Sequence, residues 1–319
     1  MSGCLWFLPY FCPMTTTELS NFIQNQADLL GFDACGFTSA QSLPAEETLH
    51  LETWLKDGFH GEMSYMGRNL DKRLNPCLLV EGCKSVVVVA LNYFPFENQL
   101  PTAPKVARFA YGLDYHHIIR GKLNQLMDKI REQGIQMNGR AFSDSAPIME
   151  RYWAWKAGLG WLGKNQNLIL PGSGSFFLLG ELLIDLELDY GMPLENRCGS
   201  CTNCLQACPT QALDGNCLDA RRCLSYLTIE KKGPFSAEEA KKVGENDWIF
   251  GCDICQEVCP WNRLAKANSI PELQPTEHFL QLDEAKFQKL NATSFKTYFS
   301  DTCLERTGLD SIRRNLAAK

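Results

Sequence analysis

No stretch of this 319-residue chain approaches the roughly 18 consecutive apolar residues that a membrane span needs. The apolar opening from Cys4 to Met14 lacks a basic flank, is broken by Pro9 and Pro13 and shows no small-residue cleavage pattern, so cytoplasmic residence is expected rather than secretion. Residues 1–16 read as an extension, with Met14 an equally good start. Internal repeats and low-complexity tracts are missing. With 45% hydrophobic, 11% aromatic and 21% charged residues, disorder, collagen and a long coiled coil are excluded. An overall positive charge is absent too: 31 basic against 37 acidic side chains leave a net −6. That balance hides an asymmetry, because residues 105–164 carry 10 basic and 5 acidic groups. A polyanion has a landing site there, although a solvated helix face explains the same charges.

Cysteine is what the chain has in excess. Fifteen in 319 residues are too dilute for a disulfide miniprotein and too many for an ordinary cytosolic enzyme, so their positions decide. Cys198, Cys201, Cys204 and Cys208, followed by Pro209, form C-x2-C-x2-C-x3-C-P, the ligand run of bacterial [4Fe-4S] ferredoxins. Cys252, Cys255 and Cys259, followed by Pro260, repeat its tail, with Ile249 where another cysteine would stand. Two clusters need eight thiolates, and the eighth comes from Cys217 or Cys223 in the 43-residue insertion between Cys208 and Cys252. The crossed arrangement of two-cluster ferredoxins gives Cys198, Cys201, Cys204 and Cys259 to one cluster. It gives Cys208, Cys252, Cys255 and, as the expected eighth ligand, Cys223 to the other. Structural zinc is the weaker alternative, since zinc sites pair C-x2-4-C hooks. Cys4, Cys12, Cys35, Cys77, Cys83, Cys217 and Cys303 are scattered and read as free thiols.

Ahead of the cysteines the pattern is mixed. Helices are expected over Thr17–Leu30, stopped by Gly31, over Pro44–Asp57, and from an Asp114 cap to about Gln133. A further helix is expected to be capped by Asp144 or Ser145 and to end at Gly158. Ser85–Phe94 is the apolar, β-branched run of a strand buried on both faces; Asn167–Leu170 and Phe176–Leu188 read as further strands. The fold class is therefore α/β or α+β, with a domain boundary near residues 190–197. The division expected is 17–190, then a ferredoxin-like module over 191–265, then a helical segment over 266–319.

One segment invites two nucleotide readings and fails both. Gly158-Leu159-Gly160-Trp161-Leu162-Gly163-Lys164 fits G-x-G-x-x-G, but it follows a helix, precedes a strand and has Asn165 where a P-loop needs Ser or Thr. Tyr115-His116-His117 opens the basic helix, where adjacent histidines are more often capping or surface residues than ligands. Asp144 is either a helix cap or a general acid, the latter needing burial or a nearby anion.

In order along the chain, FSDSAPIMERYWAWKAGLGWLGKN, SGSFFLLGELL, RCGSCTNCLQACPTQAL, RRCLSYLTIE and FGCDICQEVCPWN resemble the epoxyqueuosine reductase family, from about Leu19 to Asn315. The resemblance implies an α/β cobalamin-binding domain related to reductive dehalogenases, joined to a ferredoxin-like module with two [4Fe-4S] clusters. It implies reduction of the epoxide of epoxyqueuosine at the tRNA wobble position to an alkene, by base-off cobalamin fed from the clusters. Asp144 matches the proton donor and Tyr115 and His116 the segment against the modified nucleoside. Arg73, Asn165, Ser225 and Asp253, with Asp144, fall in stretches resembling cobalamin-facing ones. The chain has no D-x-H-x-x-G motif, which disfavours histidine-ligated cobalamin. It also ends at Lys319, without the helical-repeat extension of longer members. The partners implied are the anticodon stem-loop and a low-potential donor such as ferredoxin or flavodoxin; a monomer and no membrane contact are expected. A reductive dehalogenase and a plain ferredoxin-like carrier are the alternatives, the second disfavoured by nearly 190 residues ahead of the first cluster cysteine.

Overall fold

The computed structural model describes residues 14–319, so the extension, with Cys4 and Cys12, lies almost wholly outside the described residues. The chain runs through α1 (Thr16–Leu29), β1 (Ala34–Ser39), α2 (Ala45–Lys56), α3 (Leu70–Leu74), β2 (Ser85–Asn92) and β3 (Lys105–Val106). It continues with α4 (Tyr115–Glu132), β4 (Gly139–Phe142), α5 (Glu150–Lys156), β5 (Trp161–Leu162), β6 (Leu168–Ile169) and β7 (Phe177–Ile184). The cysteine-rich stretch holds α6 (Asn203–Ala207), α7 (Leu224–Ile229), α8 (Ala237–Gly244), β8 (Trp248–Phe250) and α9 (Ile254–Glu257). Five short helices close the chain: α10 (Glu277–Leu280), α11 (Glu284–Gln288), α12 (Ala292–Phe299), α13 (Cys303–Thr307) and α14 (Leu309–Ala317).

Local chemistry sets the ends of these elements. Thr15 and Glu18 form a reciprocal capping box at α1, and the Asp114 carboxylate accepts the His116 backbone N–H at 3.0 Å to start α4. All eight residues of β2 are buried. Val87, Val89 and Leu91 point to the side covered by α1 and α4, and Val86, Val88 and Ala90 to the side covered by α5. The sheet runs β1-β2-β7-β4 with every pairing antiparallel, which fixes the architecture as α+β. In β7, Gly180 is the position over which α4 closes. A Cβ there would meet Ile119 Cγ2 at 2.3 Å.

One expectation is corrected. The helix after β4 starts at Glu150 with Met149 at its cap, so neither Asp144 nor Ser145 caps it. Pro147 sits in the loop ahead of this later start. The helices of 266–319 pack into the main core. Leu273, Phe279, Phe287, Phe299, Leu304 and Ile312 share one core with Ile23, Leu91, Ile119 and Leu182. The parallel pairing of β3 with β8 ties residues 105–106 to the cysteine-rich stretch as well. Among the described residues no helix is long and apolar enough to cross a membrane.

Candidate functional site

The eight cysteines singled out by spacing gather as two quartets. Cys198, Cys201, Cys204 and Cys259 line one small cavity with Lys164, Asn165, Ile169, Pro260 and Trp261. Cys208, Cys223, Cys252 and Cys255 line a separate cleft holding about 1130 Å³ of atom-free space continuous with solvent. Cys217 borders neither; its backbone N–H donates to Asp214 in an exposed turn. Burial raises the thiol pKa of Cys204, helped by neighbouring Cys259 and Cys198. Cys255 is raised by burial and then by Cys223 and Cys208. Crowding of this kind is costly for free thiolates and is relieved when metal coordination deprotonates them.

The cleft also receives Asn165, Ser225, Asp253, Tyr115 and Arg151. The glycines of the failed nucleotide motif explain how Asn165 gets there. A Cβ on Gly160 would sit 2.2 Å from the Ile169 carbonyl, and one on Gly163 2.7 Å from Asn165 Oδ1. They let β5 turn tightly onto β6, a packing role with no phosphate in it. Asp253 is buried and already paired: it accepts the Arg108 backbone N–H at 2.9 Å and Nη1 at 3.0 Å. Burial outweighs that pairing and lifts Asp253 to about 6. Arg73 is buried away from this lining. It donates to the Tyr65 carbonyl at 3.3 Å, its Nε has no partner, and it feels the charges of Asp144 and Glu150.

Asp144 stands in the turn after β4 with φ +45°, a left-handed conformation that an aspartate tolerates better than most residues. Its backbone N–H donates to Glu150 Oε1. Its carboxylate accepts the Tyr115 hydroxyl at 3.0 Å and lies 3.4 Å from His116 Nε2, with the side chain 64% exposed. Burial, then Asp144, keeps Tyr115 protonated far above neutrality. His116 is buried, stacked on Tyr115 and held through Nδ1 by Asp114. Burial acts to lower its pKa, but hydrogen bonds with Asp114, Asp144 and Cys303 prevail and raise it to about 10. Arg306 Nη1, 2.8 Å from His116 Nε2, opposes that proton. With Asp144 charged, two carboxylates outweigh one guanidinium and the imidazolium stands.

Residues 197–262 match the model of the 4Fe-4S double cluster binding domain, and residues 73–145 match the model described as "Epoxyqueuosine reductase QueG, DUF1730". The epoxyqueuosine reductase of Cellulophaga algicola is 44% identical over 303 residues, covering 95% of this chain and 98% of that protein. The chain belongs to the epoxyqueuosine reductase family. A crystal structure of an epoxyqueuosine reductase with an epoxyqueuosine-modified tRNA-Tyr stem loop superposes with a TM-score of 0.83 at 30% identity, covering 94% of this chain and 80% of that one. The Bacillus subtilis epoxyqueuosine reductase, solved with its catalytic aspartate loop swung out of the active site, gives 0.82 at 29% identity over the same shares.

Several polar groups of this family member have no motif to announce them. Arg306 reaches His116 across 190 positions of sequence, and Cys303 lies 3.9 Å from Asp114 Oδ1. Glu150, in the first turn of α5, is indistinguishable in sequence from an ordinary helix-start acid. Glu181 carried the one readable signal, a lone acid inside the apolar strand FLLGELLI.

Proposed function

We propose that this chain reduces epoxyqueuosine to queuosine in the anticodon of tRNA. The observation that carries the reading is that Tyr115, whose hydroxyl donates to Asp144, lines one cleft with a cysteine quartet, in a chain of this family. Converting an epoxide to an alkene and water consumes two electrons and two protons. The quartets are the electron path, as two [4Fe-4S] clusters: Cys198, Cys201, Cys204 and Cys259 outside, and Cys208, Cys223, Cys252 and Cys255 facing the cleft. A low-potential carrier such as ferredoxin or flavodoxin feeds them, and the chain acts as a cytoplasmic monomer.

Cobalamin fits the cleft. No histidine lines it among the described residues, and Asn165 and Ser225 offer neutral polar groups beside the Cys208 quartet. Asp253 braces the wall through Arg108 rather than presenting a free carboxylate. Bound there, the corrin supplies a metal centre that passes electrons one at a time to the substrate.

The chain's own residues handle the proton. Asp144 donates to the epoxide oxygen as its carbon–oxygen bond breaks. Tyr115 orients the Asp144 carboxyl, and imidazolium His116 steadies the charge left on it. Arg73, buried outside the cleft lining, balances the negative charge of Asp144 and Glu150.

The test is direct. Full chain reconstituted with clusters and cobalamin, given a low-potential reductant and epoxyqueuosine-containing tRNA, forms queuosine. No product above a cobalamin-free control overturns the reading.

A further inference from the structure

Glu181 is fully buried in the central strand β7, and among the described residues only a second carboxyl, that of Glu150, reaches its carboxyl group. Such a group costs several kcal/mol if left charged and unpaired, so it demands an account. Strand alternation supplies the first part. Glu181 shares its face with Leu179 and Leu183, which pack in the core beneath α5, and it lies directly opposite Phe142 of β4. Two residues past Phe142 the chain reaches Asp144, and α5 begins at Glu150. The Glu181 side chain is thus enclosed between the strand that delivers Asp144 and the first turn of α5. There the group acting on it most strongly is the Glu150 carboxyl.

Glu150 is the link to the surface. It is partly buried, with Oε1 taking the Asp144 backbone N–H. Glu150 therefore stands between the buried Glu181 and the backbone of the exposed Asp144. Facing them are Tyr115 and His116 from α4, Arg73 from α3 and Arg151 from α5. Burial raises the pKa of both glutamates, and each is raised further by a neighbouring acid, Asp144 for Glu150 and Glu150 for Glu181. The two titrate as a unit that retains a proton above the ordinary carboxylate range.

We propose that the Glu150–Glu181 pair is a proton reserve that recharges Asp144. The inference rests on the epoxide-reducing reading. That reaction needs two protons to make one water, whereas Asp144 carries one, and bound tRNA shuts out the solvent that would replace it. After Asp144 has protonated the oxygen, the one proton the pair holds passes through Glu150 to the Asp144 carboxylate. The pair ends ionised, Asp144 gives the second proton to the departing oxygen as water, and one proton each returns to Asp144 and to the pair when product leaves. No redox change occurs in the pair, since both electrons come from the reduced clusters. His116 is the competing source, but its proton is pinned by Asp114 and Asp144 together. Both glutamates act through Asp144 and are positioning residues in the proton supply.

The experiment uses the full chain with clusters and cobalamin. Infrared difference spectra at neutral pH should show a carboxylic-acid carbonyl band that disappears in Glu181→Gln, which keeps the shape of the side chain. A wild-type spectrum without that band overturns the proposal. Turnover on modified tRNA should fall about 10- to 100-fold in Glu181→Gln and Glu150→Gln, with KM for tRNA within about twofold. The alkaline limb of the kcat profile should move to lower pH, and Glu181→Asp should restore part of the loss. Iron content and circular dichroism like wild type separate this from misfolding; if Glu181→Gln misfolds, Glu150→Gln decides alone. A pH profile superimposable on wild type, or loss of the limb only in His116→Gln, overturns the proposal. A wild-type chain that makes no queuosine overturns the functional reading, and the recharging step falls with it.

Discussion

At the scale of single residues, function and stability separate around Asp144 and His116. Asp144 contributes little packing, because its side chain is 64% exposed. Asp144→Asn should therefore bind tRNA and cobalamin as wild type does while turnover drops about 100-fold or more; unchanged single-turnover rates would remove its role as proton donor. His116 is the converse, a buried group held by Asp114. Its folded pKa, about 10, stands above the ordinary histidine value. The stabilisation it brings is fully present below about pH 6.5 and is lost as pH rises through about 10. Urea midpoints measured from pH 6 to 10.5 should fall along that span, and the slope should flatten in His116→Gln. Cysteine positions give a third test. Cys223→Ser should lose about four irons per chain while Cys217→Ser keeps the full complement, because only Cys223 lines the cleft with Cys208, Cys252 and Cys255.

Elements show what the sequence made legible. The buried run of β2, the Gly31 stop of α1 and the Asp114 cap of α4 are local signals, and each sits within a residue or two of its expected place. The cysteine quartets are legible for a related reason: ligand spacing is a short-range constraint. What failed is non-local. The loop after β4 looks like a helix cap, yet Asp144 is held by Tyr115 from α4 and by Glu150, and neither contact leaves a trace in neighbouring residues. Pairing direction in the sheet was equally hidden, since a strand buried on both faces reads alike in parallel and antiparallel sheets. Gly180 offers a test at this scale. Gly180→Ala forces a methyl to within 2.3 Å of Ile119 and should cost about 1–3 kcal/mol. Adding Ile119→Val should return part of that loss, seen as a positive coupling in urea denaturation; strict additivity would show that α4 and β7 are not in close packing there.

On the scale of the whole molecule, the basic window of residues 105–164 is less uniform than its sequence suggests. Lys129 and Arg131 are answered by Glu132 and Asp128 one turn away. Arg108 is spent on Asp253 and Glu257, and Lys164 on the carbonyls of Gly199 and Cys201 beside the outer quartet. Six others have no carboxylate partner among the described residues, and of these Arg120 is tied to the Asp144 site, its Nε donating to the His116 carbonyl, whereas Lys122 is spent on the Leu30 carbonyl. Phosphates of the stem-loop should therefore be met near the start of α4, not along its length. Each phosphate contact contributes about 0.7–0.9 to the slope of log K against log salt. Arg120→Ala should weaken stem-loop binding and flatten that slope by about one contact, whereas Lys129→Ala, at the far end and already paired, should leave it unchanged. Equal flattening by both variants would mean that tRNA lies along the whole helix, and the net −6 of the chain would then be overcome by a broad face instead of a few residues at the cleft mouth.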